Sequence, residues 1–585
     1  MSRETPLRLL TICTVVVFSV FLIRLWQLQI LKGEQYLKQS LRNRVRVFRI
    51  SAPRGIIYDR KGVKLVKNVP YYIASILPDV SEAEIDIKGL SELLDMSEEE
   101  IRKKIKRKRR KRLEPIRLKG GLDFEDVARI EARRSDFPGL IIETEISRYY
   151  NFGKTAAHVV GYLGKPTKEQ LSMEDFRNLP EDTMVGRWGA EAMFDKQLRG
   201  KAGMKFVEVD ALGRQLRTLR IIPPEKGEDL YLSIDIDTQI VAEKAFQRRS
   251  GALLALEPSS GEVIALVSLP SFDPNMFIKG IEPKQWLKLT RHPGHPLINR
   301  VFQSQYPPGS VFKLITAIAA MEEGLVNKNF KVNCKGFIEV GQWRFRCWKD
   351  RGHGIVDMKR AIVESCDVYF YELGRITGID RIAKYAYALG LGRQPGLGLS
   401  PEKKGLIPTT TWKLKTRGRP WYLGETFNAA IGQGYVSVSP AQAALLISAI
   451  ANGGTVYRLQ LLKNAEPEII SRLVMRPETI KIMKEALYGV VNQEGGTGLR
   501  AHSDYFSIAG KTGTAQVVGF FRNKKGLPTD HAWFVAYAPS GKPKIALSVF
   551  VEHGGHGGEA AAPIAKEVIE TYLSGRDKNE DNKES

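Results

Sequence analysis

Cysteine is scarce: four residues in 585 are too few for a chain held together by disulfides. Long apolar runs are scarcer still. Only residues 9–31 form a stretch apolar and long enough to cross a bilayer, which excludes a polytopic membrane protein. Acidic residues also fall short, with 65 Asp and Glu against 89 Lys and Arg, and the net charge of +24 suits nucleic acid, phospholipid headgroups or an acidic polymer as surroundings. Internal repeats and long low-complexity linkers are absent, and 43% of the residues are hydrophobic, so a collagen-like or disordered chain is excluded as well. At roughly 150 residues per domain, the length predicts a globular protein of several domains.

The N-terminus assigns the compartment. Arg3 and Arg8 precede the apolar run, which by the positive-inside rule keeps the short N-terminus in the cytoplasm. A cleaved signal peptide needs a small-residue site just past the apolar core, and Arg24-Leu25-Trp26-Gln27 stand there instead. An uncleaved single-pass anchor is therefore favoured, with everything beyond it extracytoplasmic. That placement argues against nucleic acid as a partner, even for the densest charge feature: between Arg102 and Arg112 ten of eleven residues are Lys or Arg, interrupted by Ile105. Ser97 and Glu100 read as a capping box that opens a helix, with Glu98, Glu99 and Glu100 at its positive end. Two readings of the run stay open, a solvated helix face and a contact with anionic lipid or wall polymer.

Residues 34–227 mix short strand-like runs, polar helices and glycine turns, which suits a compact spacer. From residue 228 the pattern changes. An alternating strand over 230–234 is followed by a helix reaching Arg249, then strands over 251–256 and 261–267, helical segments such as 441–451, and strands again over 532–537 and 544–550. Strands at both ends with helices between them predict an α/β (α+β) domain whose sheet is flanked by helices. Residues 576–585 are polar and are expected to be disordered.

Three short motifs carry chemistry. Pro307-Pro308-Gly309 breaks the chain, and Ser310-Val311-Phe312-Lys313 opens a helical run, so Ser310 sits at a helix start with Lys313 one turn on, on the same face. A lysine walled by apolar groups gives up its proton more easily and can accept one from serine. Ser365-Cys366-Asp367 falls inside a second helical stretch, where Ser365 can pass a proton between lysines and a leaving amine. Lys511-Thr512-Gly513-Thr514 opens an alternating segment, Ala515-Gln516-Val517-Val518. Lys511 with the Thr512 and Thr514 hydroxyls can bind a substrate carboxylate, and the amides of Ser310 and Thr514 can form an oxyanion hole. Each motif alone is a cap or a turn; the ordered trio is specific.

On these motifs the chain resembles the class B penicillin-binding proteins, D,D-transpeptidases that cross-link peptidoglycan. Pro53-Arg54-Gly55-Ile56-Ile57-Tyr58-Asp59-Arg60 resembles the signature at the start of that family's pedestal, and Gly186-Arg187-Trp188-Gly189-Ala190-Glu191 with Leu198-Arg199-Gly200 resembles its second pedestal motif. Tyr306 to Lys313 and Gly432-Gln433-Gly434 are similar to parts of the transpeptidase domain. Asp367 departs from the commoner Asn, and with Phe345-Arg346-Cys347-Trp348-Lys349 it makes the chain most similar to the elongation type, penicillin-binding protein 2.

The resemblance implies a tail and anchor over residues 1–33, an elongated mixed pedestal (dimerisation-like) domain over 34–227, and a transpeptidase domain over 228–575 with a central antiparallel sheet. It implies a serine acyl-enzyme blocked by β-lactams, with Ser310, Lys313, Ser365, Asp367 and Lys511 catalytic and Thr512, Gly513 and Thr514 binding substrate. A D,D-carboxypeptidase side activity is compatible with it. Implied partners are peptidoglycan stem peptides, the inner membrane, a SEDS-family glycan polymerase and a shape-determining elongasome scaffold, since no glycosyltransferase domain is legible in the chain. The alternatives are a division-type class B enzyme, a β-lactam sensor, which needs an intracellular effector that about eight residues cannot supply, and a β-lactamase, which needs a residue that activates water.

Cys334, Cys347 and Cys366 fall close in sequence together with His353, and three thiols and an imidazole make a set that tetrahedral zinc favours. Some members of the resembled subtype carry a zinc site beside the second motif. A Cys334–Cys347 disulfide and three unlinked thiols remain alternatives.

Overall fold

The computed structural model describes residues 4–32, 34, 45–77, 85–108, 115–177, 179, 183–209, 215–278, 280–516 and 530–584. Residues 109–112 of the basic run and residues 517–518 of the alternating segment lie outside the described residues. Among the described residues one helix is long and apolar enough to cross a membrane: Glu4–Trp26, prolonged by a π-turn over Gln27–Leu31, with a mean hydropathy of 2.3 over Leu9–Leu31. Arg24 Nη1 donates to Gln27 Oε1 at 2.5 Å near its end.

The rest of the chain forms two compact units, one of residues 1–55, 68–147 and 199–228, the other of residues 56–67, 148–198 and 229–585. The stretch 34–227, expected as a single spacer, is thus shared between them. The charged signature at residues 53–60 accounts for part of this division. Ile57 and Tyr58 pair in parallel with Leu230 and Tyr231. Asp59 Oδ1 accepts from the amides of Lys61 (2.9 Å) and Val63 (2.7 Å), closing a turn, and Asp59 Oδ2 accepts from Ile236 N at 3.3 Å. Arg60 is paired with Glu262 at 3.0 Å and donates to Tyr572 Oη at 2.7 Å. These bonds hold residues 56–67 to the second unit. In the second returning segment, Arg148 and Glu191 form an ion pair at 2.7 Å with both side chains almost fully buried, an arrangement that only mutual pairing makes tolerable.

In the first unit Val45–Ile50, Gly203–Val209 and Gln215–Ile222 form an antiparallel sheet. In the same unit the later part of strand Lys64–Ile76 pairs with Ile116–Leu122, and helices Ile87–Leu94 and Glu98–Lys108 share one apolar core with that pair. Asp86 caps the first of these helices by accepting from Gly89 N, and one half of the expected capping box opens the second, Ser97 Oγ accepting from Glu100 N at 3.3 Å while the Glu100 side chain pairs with Lys104.

The second unit is built on a five-stranded antiparallel sheet in the order Val263–Leu269, Gly251–Leu256, Ile545–Val551, His531–Ala538, Ala509–Ala515. Gly251–Leu256 and Ile545–Val551 are buried at every position, so they read as apolar runs without alternation, broken only by Ser548, whose hydroxyl donates to Pro440 O. Helix Pro440–Ala451, opened by a Ser439/Gln442 capping box and buried throughout, packs on Ile545–Val551 and Gly251–Leu256; Ala562–Glu584 packs on His531–Ala538 and Ile545–Val551. That last helix is continuous to Glu584, through most of the tail expected to be disordered. Its buried turns at Val568, Ile569, Tyr572 and Leu573 supply the nucleus, after which each added residue costs little. Ser365 also departs from expectation, in a way that matters for the site.

Candidate active site and cysteine cluster

Gly309–Val311 form a single 3-10 turn that runs into helix Lys313–Glu322. Lys313, three residues on from Ser310 at the start of that helix, comes to the same side. Glycine is required beside the serine. Gly309 has φ +54°, and a Cβ there would stand 2.4 Å from Thr514 O, so only glycine lets the serine turn lie against the Lys511 strand. Gly432 receives the other side of the turn: Gly309 N donates to Gly432 O at 3.0 Å.

Ser365 was expected inside a helix and lies between two. Met358–Val363 ends before it and Asp367–Thr377 begins after it, and Ser365 itself is left-handed, with φ +55°. A non-glycine residue holds that conformation at a cost of about 1–2 kcal/mol, so the surroundings must impose it. The consequence is a hydroxyl shared by two lysines. Lys313 Nζ lies 3.2 Å from Ser365 Oγ and donates to Ser365 O at 2.8 Å; Lys511 Nζ lies 3.0 Å from the same Oγ. Asp367 supplies the third partner of Lys313, with Oδ1 at 2.7 Å. Both lysines are fully buried. Burial, and then the neighbouring charge of Lys313, push the Lys511 amine well below the ordinary lysine range, against a smaller opposite pull from Asp367. Ser310 Oγ, partly exposed, has no hydrogen-bond partner among the described residues.

Lys511, Thr512, Gly513 and Thr514 lie within Ala509–Ala515, the edge strand of the sheet. One line of its backbone donors and acceptors is therefore open to an extended peptide. Gly513 is needed where the strand passes Pro308 O, which a Cβ would approach to 2.7 Å. The structure brings together all eight expected catalytic and substrate-binding residues and adds three more. Thr497 Oγ1 lies 2.7 Å from Thr512 Oγ1, Gln433 Nε2 donates to Thr514 O at 3.1 Å, and Trp348 N donates to Asp367 Oδ2 at 2.9 Å. Gly495-Gly496-Thr497-Gly498 marks a turn in the sequence, and nothing in it announces where Thr497 will point.

Behind Ser365 the cysteine cluster closes. Cys334, Cys347, Cys366 and His353 are all buried, and their donor atoms lie within 4.8 Å of one another. All four cysteines of the chain are free, so the structure contains no Cys334–Cys347 disulfide. His353 Nδ1 faces the sulfurs of Cys334 (3.6 Å) and Cys347 (3.5 Å), while its Nε2 is buried without a hydrogen-bond partner, 4.0 Å from Glu364 Oε2. The Cys347 thiol is pulled down, chiefly by a hydrogen bond from Cys366, and the Cys366 thiol is pushed up by the same bond. Three sulfurs with one imidazole nitrogen suit a tetrahedral ion. The cluster touches the expected catalytic residues directly: Asp367 N donates to Cys347 Sγ at 3.4 Å.

Known proteins place this architecture. The family model for the penicillin binding protein transpeptidase domain matches residues 251–570, and that for the penicillin-binding protein dimerisation domain matches residues 49–232. The peptidoglycan D,D-transpeptidase MrdA of Acinetobacter baumannii is 36% identical over 98% of this chain and 87% of its own. Penicillin-binding protein 2 of Helicobacter pylori, solved in complex with MreC, is similar with a TM-score of 0.81 at 28% identity, over 91% of this chain and 99% of that one. A chain from a structure on the coordination of polymerization and crosslinking by a peptidoglycan synthase complex is similar with a TM-score of 0.74 at 30% identity, over 97% and 98% of the two chains. The chain belongs to the class B penicillin-binding proteins and within them is most like the elongation type, penicillin-binding protein 2.

Proposed function

We propose that this protein is an elongation-type peptidoglycan D,D-transpeptidase. The observation that carries the reading is an unpartnered Ser310 hydroxyl beside two buried lysines that share Ser365 Oγ, next to an open strand edge. A stem peptide ending in D-Ala-D-Ala lies along Ala509–Ala515, its carboxylate near Lys511 and the hydroxyls of Thr512 and Thr514. Ser310 Oγ bonds to the carbonyl carbon of the penultimate residue, and Lys313 takes the hydroxyl proton. The Asp367 carboxylate stabilises the ammonium formed, and the amides of Ser310 and Thr514 hold the oxyanion. The C–N bond then breaks, and the proton passes through Ser365 to the departing D-alanine amine. In the second half an amine from a neighbouring stem peptide bonds to the same carbon, the ester C–O bond breaks and Ser310 recovers a proton. β-Lactams block the cycle because their leaving group stays tethered to the acyl-enzyme.

The anchor places the catalytic unit outside the inner membrane, an orientation supported by Arg3 and Arg8 ahead of the span. A SEDS-family glycan polymerase and a shape-determining scaffold are its partners, a reading supported by the similarity to a chain of a peptidoglycan synthase complex and to a penicillin-binding protein 2 bound to MreC. Zinc is the metal suited to Cys334, Cys347, His353 and Cys366, with Glu364 facing the outer nitrogen of His353, as metal-binding imidazoles favour. Bound there, it would supply no chemistry to the reaction; it would tie Cys334, the turn at Cys347 and the start of the Asp367 helix together and so hold Ser365 in place.

Incubation of the purified full-length protein with uncross-linked peptidoglycan strands tests the reaction. We expect one D-alanine released for each cross-link formed. Release of D-alanine without any cross-link would make the protein a carboxypeptidase instead.

A further inference from the structure

Helix Glu98–Lys108 keeps its apolar and charged residues strictly apart. Ile101 and Ile105 are 0% and 1% exposed and belong to the core of the first unit. The three glutamates occupy the first turn, where the helix dipole favours them, and two are already paired within the helix: Glu98 with Arg102 at 3.4 Å and Glu100 with Lys104 at 2.8 Å. Lys104 is held further by Leu118 O at 2.8 Å. Lys103 and Lys106 are exposed, and among the described residues no carboxylate pairs with them. Arg102 and Lys106 are like charges four apart, a spacing at which they repel. Arg102 and Lys104 have counterions within the helix, Lys103 and Lys106 have none among the described residues, and in sequence the cationic run goes on to Arg112.

A face of this kind calls for an acidic partner with many charges. A helix that settles into a bilayer surface turns an apolar stripe outward, and here both isoleucines face inward. A hydrated polymer fits better than a lipid surface.

We infer that this helix docks the uncross-linked peptidoglycan strand, whose stem peptides present carboxylates along its length. The inference rests on the transpeptidase reading, which puts such strands around the protein. The helix retains a strand by charge alone, without reading its sequence or touching the chemistry, so binding weakens as salt screens it.

The test compares full-length protein in detergent with a Lys103→Glu/Lys106→Glu variant and a Lys103→Arg/Lys106→Arg variant, using purified uncross-linked strands in co-sedimentation across a series of NaCl concentrations. The Glu variant should bind strands about tenfold more weakly and with a shallower salt dependence, and the Arg variant should match the unaltered protein. Labelling of Ser310 by fluorescent penicillin should proceed at the same rate in all three, which shows the catalytic unit intact. Unchanged strand binding by the Glu variant overturns the inference, as does equal binding of strands whose carboxylates have been amidated. If the variant instead loses binding to phosphatidylglycerol vesicles and keeps strand binding, the face belongs to lipid and the inference fails. Loss of penicillin labelling in every form, with strand binding intact, would count against the transpeptidase reading alone.

Discussion

On one side of the turn formed by Ser365, Cys366 and Asp367, the amines of Lys313 and Lys511 have all the protein partners they need; on the other, three thiols and His353 face one another, and the outer nitrogen of the imidazole has none. The two clusters use the same backbone, yet they are completed differently. The catalytic cluster is satisfied internally and leaves only Ser310 Oγ free to react. The cysteine cluster gathers three sulfurs and an imidazole, a donor set that suits a tetrahedral metal ion. A strained serine is therefore held from the front by two lysines and from behind by a cluster that suits a metal ion.

The comparison can be broken most severely at Lys313. Lys313→Ala should lower the rate of acylation by β-lactam by about 10⁴-fold, the scale of a lost general base, with the thermal midpoint little changed. Full labelling of that variant would remove Lys313 from proton transfer. Next comes the other side of the turn. Cys347→Ser should purify without the roughly one zinc per chain expected for the unaltered protein, lower Tm by about 5 °C, and slow acylation although it touches no reacting atom. A metal-free protein of unchanged stability would reduce the cluster to buried thiols. Glu364→Gln should weaken zinc binding by about tenfold and leave the acylation rate of metal-loaded protein unchanged. Asp367→Asn should slow acylation by about tenfold, the loss of one charge-assisted hydrogen bond to Lys313, and an unaltered rate would show that the carboxylate merely fills space.

The pH dependence gives the gentlest test. Burial lowers the Lys511 pKa, so this amine loses its proton at a pH well below the ordinary lysine range. Its attraction for the substrate carboxylate should then fade as the pH rises through that lowered value, so that KM for the stem peptide rises there. A KM unchanged up to the ordinary lysine range would show Lys511 to be charged in the working enzyme.

Much of the site was legible in the sequence because its residues come in short motifs pinned by glycines. Gly309 and Gly513 stand where the serine turn and the Lys511 strand approach each other, and both are visible beside the residues they serve. The strands of the sheet were equally legible, since Gly251–Leu256 and Ile545–Val551 are buried throughout. What stayed hidden depends on distant contacts or on a single dihedral. The helical pattern runs through Ser365 without interruption, so the left-handed break there is set by its neighbours and not by local preference. The return of residues 56–67 to the catalytic unit rests on Asp59 and Arg60 meeting partners far along the chain, and Thr497 reaches Thr512 across a turn whose course the sequence does not specify.

The central claim is that Ser310 is the acylated nucleophile. Full-length protein treated with fluorescent penicillin, digested and mapped by mass spectrometry, tests it most directly. The account predicts one adduct per chain, on the peptide containing Ser310 and absent from Ser310→Ala. An adduct on any other residue, or labelling that survives Ser310→Ala, would contradict it.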